Sequence, residues 1–159
     1  MHEEGEIDLN KLKFLIDDSF KRNLNMDHYL DRINGKVAGL IIAGDYEGGA
    51  IITWETPVSD PSRSIPYLDK FAVLKKLQGI PGIADIVFKA MLVNFTDELL
   101  WRSRANNPVN KWYFERSLVN YCIPGTQWRL FYTGKHRINE KDLVDYVEVC
   151  KNIVPSFDI

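Results

Sequence analysis

The residues best suited to chemistry lie between Leu99 and Ser117, where two arginines follow the apolar start of a predicted strand. Side chains alternate across a strand, so Arg102 and Arg104 point to the same face. Two guanidiniums at this spacing repel each other unless an anion lies between them. Because planar arginine forks pair well with carboxylates, the pattern indicates a dicarboxylic ligand. A solvated strand face explains the same spacing equally well.

A helix is predicted directly after these arginines. Asn107 is a good N-cap, and Pro108 suits the first helical position. The helical spacing then places four side chains on one face: Val109, Trp112, Tyr113 and Arg116. The tyrosine hydroxyl is a candidate proton donor. The spacing alone favours a core tyrosine whose hydroxyl has a backbone partner.

A turn with two glycines lies upstream, between a predicted strand and the next helix. Backbone N–H groups at the start of a helix attract phosphate. Gly79 and Gly82 would let a ligand approach closely, and the neighbouring Lys75 and Lys76 add positive charge. The turn is neither a P-loop nor a GxGxxG motif, and glycines before a helix are more often plain turn residues. By itself this signal is therefore weak.

Composition restricts the class of protein. The chain has 159 residues, 45% of them apolar and 26% charged, which is typical of one soluble globular domain. A net charge of −2 argues against a nucleic-acid partner. No apolar run approaches the roughly 20 residues of a membrane helix. The two cysteines and three histidines, which show no metal-binding spacing, are Cys122, Cys150, His2, His28 and His136. We therefore expect no membrane span, no metal and a reducing compartment.

Hydrophobic periodicity predicts a mixed sheet covered by helices. Helices are predicted at 9–20, 26–33, 80–95, 107–116 and 142–154, and strands at 37–43, 50–54, 67–73, 99–104 and 128–132. A loop is predicted at 121–125. The first two strands should form an antiparallel hairpin, and the helix at 80–95 implies a parallel crossover. Three tryptophans are interpreted as core residues: Trp101, Trp112 and Trp128.

Several motifs together resemble one known family. They are YLDKF at 67–71, the QG turn at 78–79, WRSRANNP at 101–108, WYFERS at 112–117 and WRLFYTG at 128–134. The layout is similar to the GNAT acetyltransferase superfamily and, more closely, to the acetyltransferase domain of N-acetylglutamate synthase from fungi and animals. The resemblance covers residues 8–134. It implies an α/β (α+β) fold, with a mixed, mostly antiparallel twisted sheet, one parallel crossover and flanking helices.

The resemblance also implies the site residues. Glutamate would be bound by Lys70, Arg102, Arg104, Asn107 and a basic residue from the first helical region, Arg22 or less well Lys21. Tyr113 would lie near the thioester sulfur as general acid. Acetyl-CoA would be bound by Phe71, Val73, Gln78, Gly79, Gly82, Ile83 and Ala84. The superfamily turn matches imperfectly, because Gln78 lies four positions before Gly82 instead of three. Either the turn carries one extra residue or Gln78 does not play the usual part.

The implied activity is transfer of the acetyl group from acetyl-CoA to the α-amine of L-glutamate, the first step of arginine biosynthesis. The amine would attack directly, and a backbone N–H near Val73 would polarise the thioester oxygen. Neither cysteine lies in a motif typical of an acyl carrier. Two alternatives remain: a non-catalytic regulatory module like those of fungal acetylglutamate kinases, and a GNAT enzyme with another amine acceptor.

The resemblance has consequences for the organisation of the protein as well. Residues 1–7 are predicted to be a disordered extension, and residues 8–159 a single domain cut from a longer chain. The remainder of that chain would include an amino-acid-kinase-like domain that senses arginine. Localisation in the mitochondrial matrix and a homo-oligomeric state are further expectations.

Overall fold

The structure, a computed structural model, describes residues 7–78, 80, 82–107 and 109–153. The predicted disordered extension at 1–7 therefore lies, except for Ile7, outside the described residues. In chain order the elements are α1 (Leu9–Phe20), α2 (Met26–Ile33), β1 (Val37–Ala43), β2 (Gly48–Glu55), β3 (Ile65–Val73), a short 3₁₀ turn (Lys75–Leu77), α3 (Ile83–Asn94), β4 (Leu99–Arg104), α4 (Asn110–Arg116), β5 (Val119–Cys122), β6 (Trp128–Thr133) and α5 (Glu140–Asn152).

The six strands form one sheet in the order β1-β2-β3-β4-β6-β5. The pairs β1–β2, β4–β6 and β5–β6 are antiparallel. The pair β3–β4 is parallel, with Tyr67 opposite Leu100. The predicted hairpin, the parallel crossover and the mixed α/β class are thus confirmed.

The chain divides into two compact units. The first unit comprises the described residues of 1–53 and 69–94, and the second those of 54–68 and 95–154. The strand β3 contributes its first four residues to the second unit and its last five to the first. The predicted site residues are accordingly divided between the units, and each unit is described by itself.

The first unit is built around the apolar faces of its first two helices. Asp8 caps α1 by accepting hydrogen bonds from the backbone N–H groups of Asn10 and Lys11, as the sequence predicted. Asn25 caps α2 in the same way through His28. The helices pack with the sheet in a cluster of nine buried residues: Leu12, Leu15, Ile16, Leu24, Tyr29, Ile33, Ile51, Ala72 and Leu74.

The second unit has its own core and a charged network beside it. The core cluster consists of Ile65, Tyr67, Leu100, Ile123, Leu130, Tyr132, Tyr146, Val149 and Cys150. Next to it, the Arg63 guanidinium donates hydrogen bonds to Asp142 (2.6 Å), Asp145 (3.2 Å), Glu98 (3.2 Å) and the Tyr146 hydroxyl (3.0 Å). This network fixes the loop before β3 to the N-terminal half of α5.

Several boundaries differ from prediction: β2, β3 and α5 each begin two residues earlier than predicted. The segment predicted as a loop at 121–125 overlaps β5, an edge strand of four residues, which are too few to show a periodic pattern. The helix α3 begins at Ile83 instead of 80, and α4 begins at Asn110 instead of 107. In both cases an irregular turn precedes the helix, and caps alone do not show how long such a turn is.

Because the Cys150 thiol and the Tyr132 hydroxyl are buried in the second unit, we expect the free energy of unfolding to fall at alkaline pH. Burial raises the pKa of Cys150 from 9.0 to about 12, and burial together with the charge of Glu98 raises that of Tyr132 from 10.0 to about 12. Both groups lose their protons more easily when unfolded. Their contribution to stability is therefore complete below pH 9 and lost as the pH rises through 9–12.

Thermal unfolding measured between pH 8 and 11 should show this as a progressive fall in Tm. A Cys150→Ala variant should lose less stability between pH 9 and 10 than the parent, although it starts from a lower Tm. A Tm independent of pH over this range would contradict the account.

Candidate active site

The two arginines of β4 share one face, as alternation predicted. Trp101 and Ser103 are buried, whereas Arg102 and Arg104 are half-buried on the opposite side. Both guanidiniums lie over one indole ring, because Trp128 pairs with Arg104 on the adjacent strand β6. Their central carbons are 3.8 Å and 5.1 Å from the Trp128 ring centroid. Cation–π attraction to this ring thus offsets part of the repulsion that the sequence analysis ascribed to an anion.

The two arginines differ in their other contacts. Arg102 donates a hydrogen bond of 2.5 Å to the backbone carbonyl of Cys150 in the last turn of α5. A cation is favourable there, because the carbonyls at the end of a helix carry partial negative charge. Arg104 has no carboxylate partner among the residues that the structure describes. Arg102 therefore has a structural role, and Arg104 is the better candidate for contacting an anionic ligand.

Asn107 caps a turn instead of the helix α4. Its side-chain oxygen accepts a hydrogen bond from the Val109 N–H at 3.0 Å, and its backbone carbonyl accepts one from the Asn110 N–H at 3.0 Å. The predicted first helical residue, Pro108, lies outside the described residues. Asn110, which sequence reasoning missed, is buried and donates to the carbonyls of Arg104 and Ala105. It thereby fixes the start of α4 to the end of β4.

Tyr113 is a core residue of the second unit. Only 8% of its surface is exposed, and its ring centroid lies 5.5 Å from that of Trp101 and 5.2 Å from that of Phe131. Burial raises the pKa of the Tyr113 hydroxyl well above its ordinary value of 10. The group is protonated throughout the physiological pH range, as an ordinary tyrosine also is, and burial makes its hydroxyl a weaker acid.

The tryptophans that were interpreted as core are only partly so. Trp101 is buried, as predicted. Trp112 and Trp128 are half-buried, and each has an arginine guanidinium on its ring face. For Trp112 that arginine is Arg116, at 3.7 Å.

In the first unit, Lys70 belongs to a buried ionic cluster. Its ammonium nitrogen lies 3.1 Å from an Asp69 carboxylate oxygen and 4.8 Å from the Tyr29 ring centroid. Although burial alone would raise the pKa of Asp69, the charges of Lys70 and Arg32 hold it below its ordinary value. The local ion pair considered for Lys70 is therefore real, but the lysine is only 8% exposed and does not lie on the surface.

Arg32 is the basic residue that sequence reasoning missed. Its guanidinium pairs with Asp69 and lies 5.6 Å from the Tyr29 ring centroid. Arg22, the residue named from sequence, is exposed in the segment between α1 and α2. The sequence did contain a signal for Arg32. Tyr29 and Arg32 lie at i, i+3 and so share one face of α2. A buried Asp69–Lys70 pair also requires further polar or charged groups nearby.

The end of β3, predicted to contact the pantetheine arm of acetyl-CoA, is held by side chains. The Val73 N–H donates to the Ser19 hydroxyl at 3.0 Å, and the Val73 carbonyl accepts from the Gln78 amide at 2.8 Å. The Phe71 ring packs edge-on against Phe88 of α3. The Val73 N–H therefore has the Ser19 hydroxyl as its hydrogen-bond partner.

The turn before α3 is partly described. Gly82 has a φ of +133°, a conformation that favours glycine, and a side chain added there would meet nothing within 4 Å. Ile83 and Ala84 form the first turn of α3, and the Gly82 carbonyl accepts from the Ile86 N–H. Gly79, also predicted to bind the cosubstrate, lies outside the described residues. The open space at Gly82 fits the close approach of a ligand that the sequence predicted.

The parts of the chain that the structure describes contain no group of three or more His, Cys, Asp or Glu side chains arranged to hold a metal ion. None of the helices in these parts is both long and apolar enough to cross a bilayer.

Solved structures define the class of fold. The ribosomal-protein-S18-alanine N-acetyltransferase from Escherichia coli matches with a TM-score of 0.58 over 87% of this chain and 95% of that chain, at 11% identity. A chain of the NatC complex bound to Gag peptide and CoA matches with a TM-score of 0.53 over 83% of this chain and 92% of that chain, at 16% identity. At such identities the likeness concerns the fold alone, which is the predicted GNAT fold.

The family follows from sequence similarity. The model of NAT, the N-acetyltransferase of N-acetylglutamate synthase, matches residues 1–153, so the chain belongs to this family. Proteins named mitochondrial amino-acid acetyltransferase are similar in Neurospora crassa (53% identity, 95% of this chain), Yarrowia lipolytica (45%, 98%) and Coccidioides immitis (55%, 94%). The aligned region is 22%, 32% and 22% of these relatives, so the chain spans a third of their length or less.

Proposed function

We propose that this chain transfers the acetyl group of acetyl-CoA to the α-amine of L-glutamate, within a longer mitochondrial protein of arginine biosynthesis. The family and the names of the fungal relatives support an amino-acid acetyltransferase. The observation that carries the proposal is the position of Tyr113, which is buried against Trp101 and Phe131 and which the resemblance makes the proton donor. A purely regulatory module would not need that group.

Glutamate carries two carboxylates, which cationic side chains bind well. In the second unit, Arg104 is available to a carboxylate, and Asn107 adds an amide. In the first unit, Asp69 and Tyr29 hold Lys70 and Arg32 in fixed positions. Such preorganised cations lose little side-chain entropy when they bind an anion. We assign to Arg32 the part that the resemblance implies for Arg22, because Arg32 and Lys70 both pair with Asp69.

The reaction needs no covalent enzyme intermediate. The neutral amine nitrogen of glutamate attacks the thioester carbonyl carbon, forming the C–N bond, and the C–S bond then breaks. Tyr113 donates its proton to the departing sulfur, which leaves as the thiol of CoA. Because burial disfavours the phenolate, Tyr113 must recover a proton in the same step or directly after it. The proton that the amine nitrogen loses balances this transfer.

Acetyl-CoA would lie along the end of β3 and the turn before α3. The backbone at Phe71 and Val73 would contact the pantetheine arm, and the turn from Gln78 to Ala84 would receive the pyrophosphate. Exposed Lys75 and Lys76 add positive charge beside this turn. No metal is required, because amines attack thioesters without a Lewis acid.

Thiol release from acetyl-CoA tests the substrate class. The chain is incubated with acetyl-CoA and, in turn, L-glutamate, L-aspartate, L-glutamine or spermidine. We expect release to depend on glutamate and to be at least about tenfold slower with aspartate or glutamine, since one methylene or one charge alters the fit. A preference for spermidine would overturn the arginine assignment. Folded protein that releases no thiol with any acceptor would favour the regulatory module.

A further inference from the structure

Hydrogen bonds between side chains and backbone groups join the last turn of α1 to the end of β3 and to the turn after it. The Ser19 hydroxyl accepts from the Val73 N–H at 3.0 Å, and the Asp18 carboxylate accepts from the Lys75 N–H at 2.7 Å. The Gln78 amide donates to the Val73 carbonyl at 2.8 Å and to the Ser19 carbonyl at 3.2 Å. We call Ser19, Val73 and Gln78 the Ser19 clasp.

The Ser19 clasp forms hydrogen bonds with backbone groups at the end of β3 that a neighbouring extended chain could form instead. Successive N–H groups of a strand point in opposite directions. The Leu74 N–H donates to the Glu47 carbonyl at 3.0 Å, whereas those of Val73 and Lys75 turn to Ser19 and Asp18. The Val73 N–H, the Lys75 N–H and the Val73 carbonyl thus form hydrogen bonds with side chains. A side chain can rotate away from such a bond far more easily than a paired strand can move. An extended chain bearing amides, such as a pantetheine arm, could use the same groups.

We propose that the Ser19 clasp competes with acetyl-CoA for the Val73 backbone groups, which bond either to Ser19 and Gln78 or to the cosubstrate. This inference rests on the proposed function, which places the cosubstrate along the end of β3. Binding then exchanges the bond from Val73 to the Ser19 hydroxyl for one to an oxygen of acetyl-CoA. Ser19 is a positioning residue that competes with the cosubstrate and couples its binding to the last turn of α1.

A Ser19→Ala variant separates this role from a purely structural one. Removing the hydroxyl abolishes the competing bond, so acetyl-CoA should bind about threefold to tenfold more tightly, the range of one neutral hydrogen bond. The Michaelis constant for acetyl-CoA should fall while that for L-glutamate stays the same. Without ligand the Tm should drop, and saturating acetyl-CoA should raise it by more than in the parent. Ser19→Thr keeps the hydroxyl and should restore the parental affinity.

Calorimetry of acetyl-CoA binding to the parent, Ser19→Ala and Ser19→Thr decides the outcome. If acetyl-CoA bound to Ser19→Ala as tightly as to the parent, or more weakly, the proposed competition would be wrong, while the proposed function would stand. If the parent itself did not bind acetyl-CoA, the proposed function would fail as well. Should Ser19→Ala not fold, Ser19→Cys replaces the hydroxyl by a weak acceptor of similar shape and should also tighten binding, by a smaller factor.

Discussion

Replacing Tyr113 by Phe is expected to lower kcat for acetyl transfer about 100-fold to 10,000-fold, the usual contribution of a general acid. The variant loses one oxygen and keeps the ring that packs on Trp101 and Phe131. The fold and the Michaelis constants for both substrates should therefore change little. Steady-state kinetics with acetyl-CoA and L-glutamate, together with thermal unfolding, measure these effects.

Tyr132→Phe is the matched control for this variant. Tyr132 is equally buried in the same unit, and its hydroxyl donates to the His136 carbonyl at 2.8 Å. Its loss should reduce Tm, since a buried hydrogen bond disappears, while kcat stays close to that of the parent. If Tyr113→Phe kept full kcat, or if both variants lost it equally, Tyr113 would be a core residue without a part in the chemistry.

Replacing Arg104 by Ala is expected to raise the Michaelis constant for L-glutamate about 10-fold to 100-fold, the range of a charge-assisted hydrogen bond. The constant for acetyl-CoA should stay within about twofold, because the guanidinium is assigned to the carboxylate alone. Initial rates over a grid of both substrate concentrations separate the two constants. Equal increases in both would contradict the assignment.

Two other arginines serve as controls for that experiment. Arg116 lies over the Trp112 ring at 3.7 Å, and Arg104 lies over the Trp128 ring at 5.1 Å. Arg116→Ala should therefore leave the Michaelis constant for glutamate unchanged. Arg102→Ala removes the bond to the Cys150 carbonyl, so a lower Tm should accompany any effect on binding. The comparison distinguishes loss of a ligand contact from loss of an arginine–indole pair.

Local patterns predicted most of the elements. The helices α1 and α2 were predicted with their observed bounds, because a capping residue precedes an apolar face in each. The alternation of buried and half-buried residues along β4 was also predicted, because successive side chains of a strand point to opposite faces. The edge strand β5 was missed because its four residues are too few to show a periodic pattern.

Contacts that join distant positions were beyond the sequence. The Cys150 carbonyl that holds Arg102 lies 48 residues away, and a backbone group gives no residue-type signal. Ser19 and Val73 are separated by 54 residues, and serine near the end of a helix is unremarkable. The Arg32–Asp69 pair joins positions 37 residues apart and was not predicted. The predicted roles toward substrate stay predictions for all of these residues: Arg22, Lys70, Arg102, Arg104, Asn107 and Tyr113.

The most direct test of the central claim is to identify the product of the reaction. The chain is incubated with acetyl-CoA and ¹⁵N-labelled L-glutamate, and the mixture is analysed by mass spectrometry and by ¹⁵N NMR. The account predicts N-acetylglutamate carrying the label in its amide, formed in equal amount with free CoA. Folded protein that binds acetyl-CoA yet yields no labelled amide would contradict it.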